Sequence, residues 1–416
     1  MKNYNVDVAV VGGGPAGLAA AVSAKKQGLD NVVILERNTW LGGILPQCIH
    51  DGFGVEETGE SLTGPEYAWK YIRKVRDEEI SIMLETMVLE ITNRREIIAM
   101  NKNGIYKIMP KAIVLAMGCR EKTRWHAMIP GDRVSGIYTA GVAQAFINLY
   151  NIMPGENVVI LGSGDVGLIM ARQLHFEGAT VKGVIEILPY ASGLPRNVVQ
   201  CLDDYDIPLY LRHTVTNIKG KGRLQSVTIA EVDSSMQVKQ GTEQIITCDT
   251  LLLSLGLIPE NEVSKDAGIK IDMSTGGPIV DQCFETSFPG VFACGNCLQV
   301  YDTVDVLSKG AKKAGGHAGK FCLNDLGEKD INVRVKAGEG INYVVPQKIT
   351  KYGLVDFTFR VESPGENTVF YLKSKEKTFF KKSLRWVNPA NMVNISIEIT
   401  KDLIGDSKEL EVSLHG

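Results

Sequence analysis

One pattern, written twice, limits what this chain can fold into. Residues Asp7 to Asn38 read DVAVVGGGPAGLAAAVSAKKQGLDNVVILERN: an apolar run, glycines at Gly12, Gly14 and Gly17, an alanine-rich stretch opening at Pro15-Ala16, a second apolar run, then Glu36-Arg37. Residues Asn157 to Ile187 repeat it as NVVILGSGDVGLIMARQLHFEGATVKGVIEI, with Gly162, Gly164 and Gly167 in the glycine positions, Asp165-Val166 between them, and Glu186 closing the second apolar run. Each residue type has a physical reason. The first glycine permits a tight turn, the second lets a pyrophosphate approach the backbone, and the third lets helix and strand pack closely. Phosphates then meet the positive end of the helix dipole and its free N–H groups. The acid, roughly 20 residues on, accepts hydrogen bonds from a ribose. Strand, glycines, helix, strand and acid in this order predict two dinucleotide-binding units. A phosphate on the ribose 2′-position would be repelled by Glu186, so NAD is expected rather than NADP. Arg196 is the nearest basic residue downstream.

The composition is that of an ordinary globular protein. Of 416 residues, 44% are apolar and 22% charged, and the length suffices for two or three domains with a sizeable core. A formal charge of −3 argues against a polyanion-binding protein, so no nucleic-acid partner is expected. No apolar run approaches the roughly 20 residues needed to span a bilayer. The first apolar run, Val6 to Val11, is broken by glycines before it could serve as a signal-peptide core, and a cytoplasmic protein is expected. Eight cysteines lie too sparsely for a disulfide scaffold. The one close pair, Cys294-Gly-Asn-Cys297, has no second pair to complete a metal site; it reads as two buried thiols beside a turn, and no metal is expected.

Two such units in one chain, together with three further motifs, resemble the two-dinucleotide-binding-domain flavoproteins of the pyridine nucleotide-disulfide oxidoreductase class, over roughly residues 5 to 325. Ala112-IVLAMG, ending in Ala116-Met117-Gly118, is similar to the motif closing the first part of an FAD domain. Leu251-LLSLGLIPEN, with Gly256, resembles its counterpart at the end of an NAD domain, and Thr286-SFPGVFACGN the second FAD motif. The resemblance implies an α/β fold: an FAD-binding Rossmann-like domain (residues 1–151 and 258–328) with an inserted NAD-binding Rossmann-like domain (152–257). It implies FAD at Gly12, Gly14, Pro15, Ala16, Gly17, Glu36, Arg37, Gly43, Ala116, Gly118, Gly295, Asn296, Thr303 and Val304. It implies NAD at Gly162, Gly164, Asp165, Val166, Gly167, Glu186 and Gly256. Most members carry Gly-Asp where this chain has Gly295-Asn296; an amide still hydrogen-bonds a ribityl hydroxyl, without the charge assistance of a carboxylate. By analogy, backbone N–H groups around Thr303 to Asp305 would stabilise a reduced anionic flavin.

One departure from the family is decisive. In its disulfide reductases a cysteine pair follows the double glycine, whereas LGGILPQCIHDGFG (Leu41 to Gly54) places Leu45 and His50 at those positions and has a single cysteine, Cys48. Disulfide reduction by that pair is therefore rejected. GGILPQCIHDGFG, GESLTGPEYA, AMGCREKTRW, IPGDRVSGIYTAGVAQ, ILGSGDVGLIMARQL and CGNCLQVYDTVD together resemble a narrower group. It comprises the relay flavoprotein encoded beside anaerobic glycerol-3-phosphate dehydrogenases and the alpha subunits of heteromeric sarcosine, proline and hydrogen-cyanide-forming dehydrogenases. That resemblance implies an electron-relay subunit in an oligomer, partnered by a companion dehydrogenase subunit and a small iron-sulfur protein. Hydride transfer between nicotinamide and flavin requires stacking, exclusion of water and matched potentials rather than an acid or base. Cys48 and His50 are the candidates for work beside the flavin, an imidazole titrating near neutrality, with Cys119 and Arg120 behind them.

After Gly327 the pattern changes to β-rich runs, Asp356-FTFRVES, Thr368-VFYLKS and Val393-NISIEIT, broken by Ser363-Pro-Gly and Asn388-Pro-Ala. A small antiparallel all-β domain, a sandwich, is expected over 329–416. Within it Lys373, Lys375, Lys377, Lys381, Lys382 and Arg385 alternate with Phe379, Phe380 and Trp386. This reads as a solvated hairpin with an aromatic side turned inward, or as a docking face for an acidic redox partner. Two other functions stand beside the relay: a self-sufficient flavoenzyme acting on a small molecule over the flavin, and a flavin-bearing scaffold or redox sensor.

Overall fold

The computed structural model describes residues 2–374 and 377–415; Lys375 of the basic hairpin lies outside them. The chain divides into two compact units, one built from Met1–Cys119 and Pro259–Gly416, the other from Arg120–Ile258.

The first unit is organised by a seven-stranded sheet. Lys2–Val11 lies parallel between Val32–Leu35 and Gly104–Leu115, Ser81–Met83 extends one edge in parallel, and Val291–Ala293 joins Gly104–Leu115 from late in the chain. Ile97–Asn101 and Met87–Ile91 continue the other edge as an antiparallel hairpin. The inner ends of the strands are wholly apolar and buried, as parallel strands covered on both faces must be. Two helices cover one face. Pro15–Lys25 is rich in small residues, five of its eleven being Ala, and Val304–Cys322 lies hard against it: a side chain at Gly315 would stand 2.0 Å from the Ala20 carbonyl oxygen. That second helix starts at Val304, with Thr303 as its extended N-cap. Gly64–Asp77 is fixed by a reciprocal capping box between Thr63 and Glu66 and buries Tyr67, Ala68, Tyr71 and Val75 on one stripe.

The second unit is a five-stranded parallel sheet, in the order Leu209–Leu211, Thr180–Glu186, Asn157–Leu161, Thr250–Leu253, Ile137–Thr139. Asp165–Phe176 packs on it, and the antiparallel strands His213–Lys221, Arg223–Glu231 and Gln244–Thr247 are added to the unit. Ile137–Thr139 and the helix Ala140–Tyr150 fall in this unit, although the motif boundaries place them before residue 152. Parallel pairing of Ile137–Thr139 with Thr250–Leu253 draws them in, a long-range pairing that no local pattern announces.

The C-terminal residues form two facing sheets. Lys348–Ile349, Val333–Ala337, Glu409–His415, Gly365–Ser374 and Lys377–Val387 make one, and Ile341–Val345, Gly353–Val361 and Val393–Ile399 the other. Alternate residues of Gly353–Val361 are buried, as a strand with one wet face requires. Phe359 of one sheet stacks on Phe370 of the other, with ring centroids 5.3 Å apart. The sandwich is not purely antiparallel, as expected above, since Val333–Ala337 pairs in parallel with the last strand. In the basic hairpin Phe379 and Phe380 pack at the margin of this core while Trp386 is exposed.

Candidate dinucleotide and redox site

The first unit brings most of the expected flavin residues into one cradle at the strand ends. Gly12, at φ +108°, turns so tightly that a side chain there would lie 2.3 Å from the Ala116 carbonyl oxygen, and one at Gly17 would lie 1.8 Å from that of Gly12. Gly14 caps the helix Pro15–Lys25 with no side chain on the terminus and no acid in the first turn. A side chain at Gly14 would rest 3.7 Å from the Gly43 Cα; with only hydrogen there, a bulky anion can approach the backbone. Gly43 is thereby set against the glycine turn, and Gly42 N–H donates to the Gly13 carbonyl at 2.8 Å. Gly295, at φ +70°, faces Ala16: a side chain there would come within 2.5 Å of the Ala16 methyl. Arg37 is exposed beside the acid, and Gly118, at φ +74°, follows Ala116 into open space.

Glu36 is 5% exposed, and its carboxylate accepts from Gly13 N–H at 2.7 Å and Asn38 N–H at 2.8 Å. Two donors leave lone pairs for a ribose. Asn296 has a use that a carboxylate lacks. Its Oδ1 accepts from Tyr301 N–H at 3.1 Å, and its Nδ2 donates to Cys119 Sγ at 3.5 Å, tying the turn after Val291–Ala293 to the residue following Gly118. At the start of Val304–Cys322 the hydroxyl of Thr303 is buried without a hydrogen-bond partner, and Val304 is buried beside it. A glycine cradle, a part-satisfied buried carboxylate and an orphaned hydroxyl at a helix N-terminus are residues that could hold FAD.

The loop carrying Cys48 and His50 is anchored at both ends. Its start lies on the glycine turn, as above. Its far end is held by Asp305, buried in the long helix, which accepts from Gly54 N–H at 3.1 Å and Glu57 N–H at 3.0 Å. Glu57 pairs with Lys312 at 2.5 Å and accepts from the Tyr67 and Tyr71 hydroxyls. Cys48 Sγ lies 3.5 Å from the Ile44 carbonyl oxygen, and burial pushes its thiol up to about 12, so it is neutral at physiological pH. Desolvation thus disfavours a thiolate at Cys48. His50 Nδ1 is 3.0 Å from the Asp51 carbonyl oxygen, with its ring 5.0 Å from that of Phe53. Cys294 and Cys297 are fully buried with raised pKa values caused by burial, and both are free thiols.

In the second unit a side chain at Gly162 would strike the Ser254 carbonyl oxygen at 2.1 Å, and Gly167 N–H donates to Ser254 Oγ at 3.2 Å. Gly164 caps Asp165–Phe176 without a side-chain partner. Val166 is exposed, and Gly256, at φ +88°, has open space. Glu186 is 4% exposed and better satisfied than Glu36. It accepts from Ser163 N–H at 3.0 Å, Ser163 Oγ at 2.5 Å, Ser192 Oγ at 2.9 Å and Leu188 N–H at 2.9 Å. Asp165 turns its carboxylate to Leu194 N–H and Asn197 Nδ2, at 2.8 and 2.7 Å, and leaves the helix terminus to its backbone. Ser163, Ser192 and Ser254 were missed in the sequence, where a serine between glycines carries no pattern of its own. The glycine cradle fits a pyridine nucleotide, and Arg196 is exposed.

No helix among the described residues is long and apolar enough to cross a membrane, and no group of three or more metal-binding side chains among them is placed to hold a metal ion.

Residues 6–313 match the pyridine nucleotide-disulphide oxidoreductase family, and the chain belongs to it. The family is one of FAD- and pyridine-nucleotide-dependent oxidoreductases, and this chain has its fold of two Rossmann-like domains, one inserted in the other, followed by a C-terminal β-domain. Among its relatives, hydrogen cyanide synthase subunit HcnB of Pseudomonas protegens is 25% identical over 290 residues, 64% of this chain and 60% of that protein. An alkyl hydroperoxide reductase subunit of Pseudomonas aeruginosa is 28% identical over 318 residues, 74% of this chain and 56% of that protein. The chain thus spans less than two thirds of either relative. Thioredoxin reductase of T. acidophilum has the same fold, with a TM-score of 0.63, 24% identity, and coverage of 78% of this chain and 99% of that one.

Proposed function

We propose that this protein is an electron-relay subunit that moves a hydride between NAD and FAD and exchanges electrons with a companion dehydrogenase subunit, through a small iron-sulfur protein. The observation that carries the reading is a pair of dinucleotide cradles with no cysteine pair after Gly43 to take the electrons onward: Leu45 and His50 occupy those positions and Cys48 is a half-buried thiol with a raised pKa. Similarity to a subunit of hydrogen cyanide synthase supports an assembly of this kind.

FAD, when bound, supplies a centre that takes up a hydride and gives up electrons one or two at a time. The chain's own residues bind, orient and exclude water. Gly12 to Gly17 and the terminus of Pro15–Lys25 receive the pyrophosphate of FAD, Gly295 and Asn296 its ribityl chain, and Thr303-Val304 its ring. Gly162 to Gly167 receive the pyrophosphate of NAD, with Asp165 and Val166 contributing backbone N–H groups. Glu186, already encircled by hydroxyl and amide donors, favours a 2′-hydroxyl and repels a 2′-phosphate, so NAD is preferred to NADP. No side chain has to move a proton for hydride transfer itself.

The chain produced alone is expected to oxidise NADH, in preference to NADPH, with artificial dyes. It is expected to turn over neither a disulfide nor an amine, amino-acid or glycerol-phosphate substrate. Full turnover of any of these by the lone chain would contradict the relay and favour a self-sufficient flavoenzyme.

A further inference from the structure

The C-terminal sandwich reaches into the turn that precedes the flavin-facing helix, and it does so with a charge. Arg360, on the strand Gly353–Val361, is only 16% exposed at its side chain, and every arm of its guanidinium is engaged. Nε donates to the Tyr343 hydroxyl at 3.1 Å, Nη1 to the Pro389 carbonyl at 2.8 Å, and Nη2 to the Val300 carbonyl at 3.2 Å. Nη2 also pairs with the carboxylate of Asp302, itself 13% exposed, whose other oxygen accepts from Met392 N–H at 2.5 Å. A second bond comes from the same sheet: Gln299 Nε2 donates to Thr358 Oγ1 at 2.8 Å. The turn 299–303 is therefore gripped by the sandwich on one side and tied through Tyr301 N–H to Asn296 on the other. Thr303 and the N-terminus of Val304–Cys322 come next in the chain.

We infer that Arg360 is a positioning residue for the flavin, which holds the 299–303 turn and neutralises Asp302 so that the helix terminus beginning at Val304 keeps its positive potential toward the ring. The inference rests on the reading above that the flavin ring lies at Thr303-Val304. A buried carboxylate one residue from a helix N-terminus would cancel much of that potential if it were unpaired. Arg360 supplies both the opposite charge and the geometry, since a planar fork bonded through all three of its nitrogens is held in one orientation. The sandwich is on this account an arm of the flavin site rather than an appended module.

The sign of the effect makes it testable. Replacing the guanidinium by an apolar chain of similar length, Arg360→Met, takes one positive charge from beside the Asp302 carboxylate and disfavours adding electrons to the flavin. Replacing Asp302→Asn leaves a cation without its counter-charge and favours adding them, while Arg360 keeps Tyr343, Pro389 and Val300 as acceptors. The measurement is the flavin midpoint potential of the full chain, read anaerobically against a reference dye. At a fixed dye potential, the ratio of reduced to oxidised flavin is expected to fall by about tenfold in Arg360→Met and to rise by about tenfold in Asp302→Asn, the size of one uncompensated charge in a partly buried site. The double variant, which removes both charges, is expected to return to within about threefold of the parent. Shifts in the same direction, or none in variants that retain FAD, would overturn the inference, because a merely structural loss has no reason to change sign. If Arg360→Met does not fold, Asp302→Asn decides alone: retained flavin with a raised potential supports the proposal, and lost flavin or an unchanged potential overturns it. A colourless parent chain would instead refute the flavin reading beneath it.

Discussion

Cys48 sits where chemistry beside the flavin is expected, as a thiol that its surroundings keep protonated. Its thiol lies in the loop that begins on the flavin cradle, yet burial raises it to about 12. Losing a true acid or base costs about a hundredfold or more, so Cys48→Ala is expected to keep NADH–dye activity within about threefold, with an unchanged profile between pH 6 and pH 8. Stability carries a sign as well. A group whose folded pKa is raised favours the fold fully below its unfolded value, about 8.5 for a thiol, and that contribution is lost as pH climbs toward about 12. Between pH 7 and pH 9.5 the melting temperature of the parent is therefore expected to fall more than that of Cys48→Ala; equal falls would show that this thiol is not buried in solution. The glycines and the two acids were legible in the sequence because each answers a backbone demand with a fixed spacing. Ser163, Ser192 and Ser254, which hold Glu186 and Gly167 in place, were not, because a hydroxyl serves any nearby acceptor and leaves no period.

Elements follow the same division. The helix Gly64–Asp77 carries its own start in the chain: Thr63 and Glu66 form the capping box, Pro65 stands in the first turn and an apolar stripe follows. The strand-turn-helix units could be read likewise. Less visible was the reach of Asp305, which lies in one helix and holds the N–H groups of Gly54 and Glu57, about 250 positions away. Asp305→Ala is expected to lower unfolding free energy by about 3 kcal/mol, since two amides lose a charged acceptor. Flavin retention should weaken with it, because the loop from Gly43 to Glu57 is released at its far end. Asp305→Asn, keeping one acceptor oxygen, should fall between the two in chemical denaturation. No loss in either variant would mean that the loop is held by its glycine-turn end alone.

At the scale of the molecule, the α/β class and the C-terminal sandwich were visible as alternating patterns, whereas the parallel strand pair closing the sandwich and the strand drawn into the second unit depend on pairings far apart in the chain. The union of sandwich and flavin domain in one compact unit was also invisible in the sequence, because Arg360 and Asp302 lie in segments that locally read as a β-strand and a turn. All of this serves one claim: a flavin and a nicotinamide exchange a hydride here with no disulfide between them and the next carrier. Its most direct test is an anaerobic stopped-flow trace of the purified chain, loaded with FAD, against NADH. The account predicts that the visible flavin band bleaches on the timescale of turnover with every thiol blocked beforehand. A chain that stays colourless with FAD, or a flavin that NADH leaves unbleached, would contradict it.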